Sequence, residues 1–215
     1  MIRYILSGVL AYLLGSLSFG IILSKIKYKK DIREYGSNNA GMTNMLRTFG
    51  KGPAAFVFIF DALKGTAAVL IARYLLAGNV ADPITCAYVA GVCAVLGHLF
   101  PLYFGFKGGK GAATALGAMT AITPVIFPCV MIPFFIVVFT TKYVSLSSMI
   151  AVLCLPISTF FWFFLRHEPW LVPTIATSII AFLIVFMHRS NIKRLINGTE
   201  NKIGSKKEKT QSKNE

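Results

Sequence analysis

Three short segments of this 215-residue chain hold most of the side chains able to grip an anionic ligand. The first runs from Asp31 to Arg47. It packs Gly36, Ser37, Asn38, Asn39, Gly41, Thr43 and Asn44 into nine positions, with Arg33 and Arg47 on either side. Small residues let a backbone approach a ligand closely, and several accept positive φ without strain. Ser, Thr and Asn add neutral hydrogen bonds, and an arginine can hold a phosphate through two parallel N–H groups. The link from Lys25 to Lys51 is 27 residues long, more than a plain connection between neighbouring helices needs.

The second segment places Gly97, His98 and Pro101 ahead of Lys107-Gly108-Gly109-Lys110-Gly111. A glycine-rich turn that opens a helix can aim free amides and the positive dipole end at an anion, and Lys110 adds a point charge. The spacing is not that of a P-loop. Glycines also pack membrane helices, so the two lysines carry the argument for phosphate. The third segment runs from His188 to Glu200. Arg189, Lys193 and Arg194 fit a basic collar that snorkels to headgroups. That reading leaves His188 and Asn191 unexplained, three apart on one helix face. Two histidines in such segments, His98 and His188, titrate near neutral pH and suit proton transfer or electrostatic support. His167 falls on the opposite face.

The chain that positions these segments belongs in a bilayer. Hydrophobic residues make up 55% of it and charged residues 14%, against about 25% in a soluble domain. The net charge is +14, and 15 of the 22 Lys/Arg lie between Lys25 and Lys51 or between Arg189 and Lys213. Basic charge flanking long apolar runs points to membrane lipids, not nucleic acid. Cys86, Cys93, Cys129 and Cys154 all fall in apolar stretches without a CxxC pair and read as small core residues, with neither disulfide nor metal. Asp31, Glu34 and Glu200 are too scattered to suggest a metal centre, and no cofactor is expected.

A crossing needs about 20 apolar residues. Tyr4–Ser24, Gly52–Ala72, Pro83–Phe104, Tyr143–Leu165 and Trp170–Met187 qualify. The 30 residues from Ala112 to Thr141 carry no charge but contain Pro124, Pro128 and Pro133. As one helix they would reach about 45 Å, and the prolines disfavour that. Both basic clusters belong on the cytoplasmic side, which demands an even number of crossings between them and a split near Thr123-Pro124. The expectation is an all-α, polytopic membrane protein: seven transmembrane helices, two of them short and proline-broken, N-terminus outside and C-terminus cytoplasmic. Residues 1–203 form one membrane domain, and 204–215 a disordered basic tail. Asp61 and Lys64 lie one turn apart inside a span, where charge needs a partner. They either pair structurally, or Lys64 reaches the anion site.

At these segments the chain resembles the bacterial membrane glycerol-3-phosphate acyltransferases that use acyl phosphate, the PlsY family. Gly36 to Asn44 with Arg47, Asp61-Ala-Leu-Lys64-Gly65, Gly97-His98 through Gly111, and His188 through Lys202 carry the resemblance, which covers nearly the whole chain. Asn38 stands where the family usually has Gly, and Asn tolerates left-handed backbone better than other residues. Ala40 often is Pro there. The His-x4-Asp signature of the soluble-type acyltransferases is absent, because positions 103, 172 and 193 are Tyr, Val and Lys.

The resemblance implies glycerol 3-phosphate and a long-chain acyl phosphate as substrates, and lysophosphatidic acid and phosphate as products. It implies a site facing the cytoplasm of the bacterial cell membrane, beside a soluble enzyme that supplies the acyl phosphate. Ser37, His188 and, less directly, His98 are then the catalytic candidates, with a substrate phosphate oxygen as the other possible proton acceptor. Arg47, Lys110 and the Gly108, Gly109 and Gly111 amides hold phosphate oxygens. Asn39, Thr43 and Asn44 position the substrate, and Lys64, Lys107, Asn191, Arg194 and Glu200 complete the expected binding set. Two other classes stay open: a transporter of phosphorylated substrates, which predicts contacts near the bilayer midplane, and an anionic-lipid scaffold, which leaves the Ser/Asn/Gly cluster unexplained.

Overall fold

A computed structural model describes residues 1–79 and 81–203. Among these, ten α-helices account for the architecture and no strand occurs. They are α1 Ile2–Gly15, α2 Phe19–Tyr28, α3 Met42–Phe49, α4 Lys51–Leu70, α5 Pro83–Leu99, α6 Ala112–Ile122, α7 Phe127–Thr141, α8 Val144–Leu165, α9 Leu171–Met187 and α10 Arg189–Ile196. The tail expected at 204–215 lies outside the described residues.

Five stretches are long and apolar enough to cross a membrane: Ile2–Tyr28, Lys51–Leu76, Pro83–Phe104, Pro124–Thr141 and Val144–Leu165. A sixth forms if α9 is counted with α10, from which it is bent by 55°. The expected single helix over Tyr4–Ser24 is interrupted between Gly15 and Phe19, and the Leu17 carbonyl there accepts a hydrogen bond from Lys64 Nζ at 2.6 Å. The long middle stretch breaks where proline demands it. α6 stops at Ile122, Thr123 leaves helical geometry, and Pro124 opens a short 3-10 turn into α7. At 11 residues, α6 is about 16 Å long, about half the hydrocarbon thickness. Its last carbonyl, Ile122 O, accepts from Arg73 Nη1 at 3.2 Å. Pro133 and Pro156 are tolerated inside α7 and α8.

Close backbone approach fixes the two tightest helix pairs. A Cβ on Gly15 would run into Ala94 O, and one on Gly97 into Tyr12 O, so α1 and α5 meet through reciprocal glycines. The same holds for α4 and α6, where Gly65 faces Thr114 O and Gly117 faces Ala62 O. Without a hydrophobic drive between helices in lipid, such small-residue contacts supply the dispersion that holds them. They also place the N-terminus of α6 beside α4 and α5, and with it the glycine loop that precedes it.

Gly117→Ala therefore forces α6 off α4. It is expected to cost about 1–3 kcal/mol, read as a lowered midpoint of thermal unfolding in detergent. Gly52→Ala, where nothing lies within 4 Å of the new methyl, leaves that midpoint unchanged.

Candidate active site

The three polar segments converge on one cavity of about 380 Å³, where the N-termini of α6 and α8 meet the C-terminus of α9. In the first segment the chain turns through left-handed backbone at Gly36 and Asn38, with φ of 61° and 55°. Asn38 sustains that conformation and donates from Nδ2 to Arg33 O at 2.8 Å. Asn44 organises the loop. Its Nδ2 lies within hydrogen-bond reach of the carbonyls of Ile32, Tyr35 and Asn39, and its Oδ1 accepts from Ser37 N at 2.8 Å. The Asn44 amide is thus occupied by backbone. What remains for a ligand at the wall are the Ser37 and Thr43 hydroxyls, the Asn39 amide nitrogen and the Arg47 guanidinium. None of the four makes a hydrogen bond or ion pair to protein among the described residues.

Asp31 and Arg33 tie this loop to the second one. The Asp31 carboxylate accepts from the Arg33 backbone and guanidinium, and that guanidinium holds the Asp31 carboxyl down at about 2. Arg33 Nη1 then donates to Phe104 O at 2.7 Å and Lys107 O at 3.2 Å. Lys107 consequently takes part through its carbonyl, with its side chain exposed and away from the cavity wall.

The glycine loop lies on His98. Gly109 N donates to His98 O and Gly108 N to Leu99 O, both at 3.1 Å. Gly111, at φ 87°, caps α6. Lys110 Nζ enters the cavity and donates to Asn191 Oδ1. Burial, and secondarily the charges of Arg194 and Arg47 against the pull of Glu200, lowers the Lys110 ammonium to about 8. Lys64 is not at the wall. It sits behind the site, 3.0 Å from Asp61 and 2.9 Å from His98, both of which do reach the cavity wall.

The third segment closes the cavity. At the bend after α9, His188 is buried and its Nδ1 lies 2.7 Å from Ile184 O. A carbonyl accepts only, so Nδ1 carries the proton and Nε2 keeps its lone pair. Glu200 folds back beneath. Its Oε1 accepts from Asn191 Nδ2 at 2.8 Å and Ser145 Oγ at 3.0 Å, and its Oε2 from Arg194 Nε at 2.6 Å. Burial alone would raise the Glu200 carboxyl, but these donors outweigh it and keep it below its ordinary value. Glu200 and Arg194 therefore orient Asn191, which orients Lys110. Ser145 is the member of this chain that sequence reasoning missed. A serine at the start of an apolar helix looks like any other, and only the return of the chain at Glu200 marks it.

Beyond the polar wall the cavity continues along α6, α7 and α8 past Leu116, Met119, Ile126, Val130 and Leu155. One end thus offers two cations, Arg47 and Lys110, with hydroxyls and an imidazole. The other end is hydrocarbon. No group of three or more His, Cys, Asp or Glu that could hold a metal occurs among the described residues.

A family model described as glycerol-3-phosphate acyltransferase matches residues 5–198. A glycerol-3-phosphate acyltransferase of Clostridioides difficile (strain 630) is 45% identical over 205 residues, covering 95% of this chain and 98% of the relative. One from Acholeplasma laidlawii is 38% identical over 219 residues, 94% of each. Two crystal structures of PlsY, an integral membrane glycerol 3-phosphate acyltransferase, superpose on the fold. The glycerol 3-phosphate form has a TM-score of 0.81 at 37% identity, covering 94% of this chain and 96% of that one. The lysophosphatidic acid form has 0.78 at 36%, covering 94% and 95%.

If Lys110 grips an anion as its charged form, affinity falls as pH rises through about 8. Sulfate does not titrate there, so calorimetry should show its binding weakening by up to about tenfold between about pH 7 and 9. Lys110→Arg, charged throughout, should flatten the profile.

Proposed function

The chain belongs to the PlsY-type glycerol-3-phosphate acyltransferase family, membrane acyltransferases that make lysophosphatidic acid for phospholipid synthesis, and from that premise we propose the donor and the mechanism. The donor is a long-chain acyl phosphate, and the acyl group goes to the 1-hydroxyl of sn-glycerol 3-phosphate. The observation that carries this reading is the continuity of the cavity from two unpaired cations to a hydrocarbon groove. An acyl phosphate has that same polarity along its length.

Both substrates are phosphate anions, and bringing them together is opposed by their repulsion. Arg47 and Lys110, with the Gly111 amide at the start of α6, offset that charge before the reaction begins. The Gly108 and Gly109 N–H groups, expected to hold phosphate, are given instead to Leu99 O and His98 O, and neither glycine reaches the cavity wall. Ser37, Asn39 and Thr43 orient the glycerol. The 1-hydroxyl oxygen attacks the acyl carbonyl carbon, the carbon–oxygen bond to phosphate breaks, and phosphate leaves with the electron pair. The mixed anhydride is activated enough that no covalent enzyme intermediate is needed. The hydroxyl proton passes to His188 Nε2 or to a phosphate oxygen. Of the two histidines His188 is the better base, because its Nε2 is free while the His98 ring is enclosed by Lys64 and Gly109.

The arrangement also supports a topology. Lys25, Lys27, Lys29, Lys30, Lys193 and Arg194 gather at the end that carries the site, so that end faces the cytoplasm of a bacterial cell, with seven crossings and the N-terminus outside. α6 is then the short crossing, its polar loop dipping toward the membrane. A soluble enzyme that makes acyl phosphate delivers it from that side, and the acyl tail enters the groove beside lipid.

The purified protein in lipid, given glycerol 3-phosphate and either palmitoyl phosphate or palmitoyl-CoA, should release phosphate and form lysophosphatidic acid from the phosphate donor alone. Product only from the thioester would overturn the donor. Ser37→Ala and His188→Ala should each lower kcat/KM by about 10²-fold or more with the fold retained. Leu116→Trp, which narrows the groove partway along α6, should raise KM for long donors more than for short ones and leave KM for glycerol 3-phosphate unchanged.

A further inference from the structure

The sequence of α10 opposes the helix it forms. At eight residues it is shorter than the about 12–15 that a helix needs to hold itself in water. Its first residue is Arg189, whose charge opposes the positive dipole end, and no acid follows in the first turn. Arg189 and Lys193 stand four apart, a like-charge spacing that disfavours helix further. Yet α10 carries Asn191 and Arg194, which engage Lys110 and Glu200. Those contacts fasten its inner face. Nothing comparable fastens the other face among the described residues.

That outer face continues one that belongs to lipid. Phe182 and Phe186 on α9 are stacked, and are 68% and 50% exposed. The Arg189 guanidinium lies 4.9 Å from the Phe186 ring centre and donates to Phe186 O at 3.4 Å. Lys193, also exposed, follows one turn on, and Ile196, 79% exposed, comes after it. One stripe thus passes from aromatic to cationic to aliphatic. At 17 residues α9 is about 26 Å long, most of the hydrocarbon thickness, so the two cations emerge among headgroups. The 55° bend tips α10 toward the plane of that layer. A shallow apolar groove on α9 reaches Phe182, one turn short of Phe186.

We propose that Arg189, Lys193 and Ile196 form a docking surface for the headgroup of an anionic phospholipid, and that the bound lipid holds α10 in the helix that presents Asn191 to Lys110. The second half rests on the role given to Lys110 above. A lipid phosphodiester fits this surface: it bridges two cations one turn apart and offsets both the dipole and the like-charge penalty. Its tail lies against Phe182 and Phe186, and Ile196 enters the acyl boundary as apolar residues of interfacial helices do. The predicted effect on rate has a distinctive sign. An anionic surface repels both phosphate substrates and by itself lowers their local concentration, whereas an ordered α10 speeds the reaction.

The test places the full chain in nanodiscs of phosphatidylcholine alone or enriched in phosphatidylglycerol. A phosphatidylglycerol with a photoactivatable group in its acyl chain should crosslink between Phe182 and Ile196, and Arg189→Gln with Lys193→Gln should lower that yield by about fivefold or more. In the wild type, phosphatidylglycerol should slow amide exchange across α10 and raise kcat/KM, each by about threefold or more. The double glutamine variant should exchange and turn over alike in both lipids, whereas Arg189→Lys with Lys193→Arg, which keeps both charges, should respond as the wild type does. Crosslinking that survives the glutamines would overturn the surface. Wild-type exchange and rate that are equal in the two lipids would overturn the coupling, and a lipid response that persists in the glutamine variant would move it to another basic segment and overturn the assignment. Crosslinking and exchange need no turnover, so an inactive wild type would sink the reaction above and leave this surface to be decided by those two readouts.

Discussion

Charge balance at the edge of a bilayer decides which cations a ligand can reach. Water is scarce there, so an acidic residue that meets a basic one holds it. Asp31 holds Arg33, Asp61 holds Lys64, and Glu200 holds Arg194. Each of these pairs is structural: one ties two loops, one joins α4 to Leu17 and to His98 on α5, one braces Asn191. Among the described residues, Arg47 and Lys110 are left at the cavity wall without an acidic partner. The site is defined as much by acids already engaged with other bases, Asp61 and Glu200 on its own wall among them, as by the bases it contains.

That division explains which parts of the site were legible in the chain. Residue types and their clustering identified all three segments, and prolines with charge placement identified the break at Thr123-Pro124 and the helical membrane architecture. A left-handed turn at Asn38 followed from the tolerance of its side chain. The direction in which each polar group points was not legible. Asn44 looks like Asn39 in sequence, but one is occupied by three backbone carbonyls and the other keeps its amide nitrogen for the cavity. Lys107 and Lys110 share a glycine motif, and only the second turns inward. Lys64 had two open readings, and its contacts with Leu17 and His98 span 47 and 34 residues of sequence. Such partners are set by helix packing, which local spacing does not encode.

Packing in turn rests on small residues. The reciprocal glycines of α1 with α5 and of α4 with α6 bring backbones close enough for loops from different helices to share one cavity. The groove needs the opposite: larger apolar side chains on α6, α7 and α8 that leave a channel among them. α6 serves both purposes, with Gly117 toward α4 and Leu116 toward the groove, one residue apart on adjoining faces.

The bend after α9 has a consequence for biogenesis. His188, Asn191 and Glu200 come late in the chain, after every helix that lines the other walls has been made. Until they emerge from the ribosome, Arg47 and Lys110 face each other with no nearby acid to temper their repulsion, and Asn191 is not there to hold the lysine. A nascent enzyme inserted as far as α8 thus has a groove and two loops but no organised polar end. The polar end of the site is therefore complete only when translation is nearly finished.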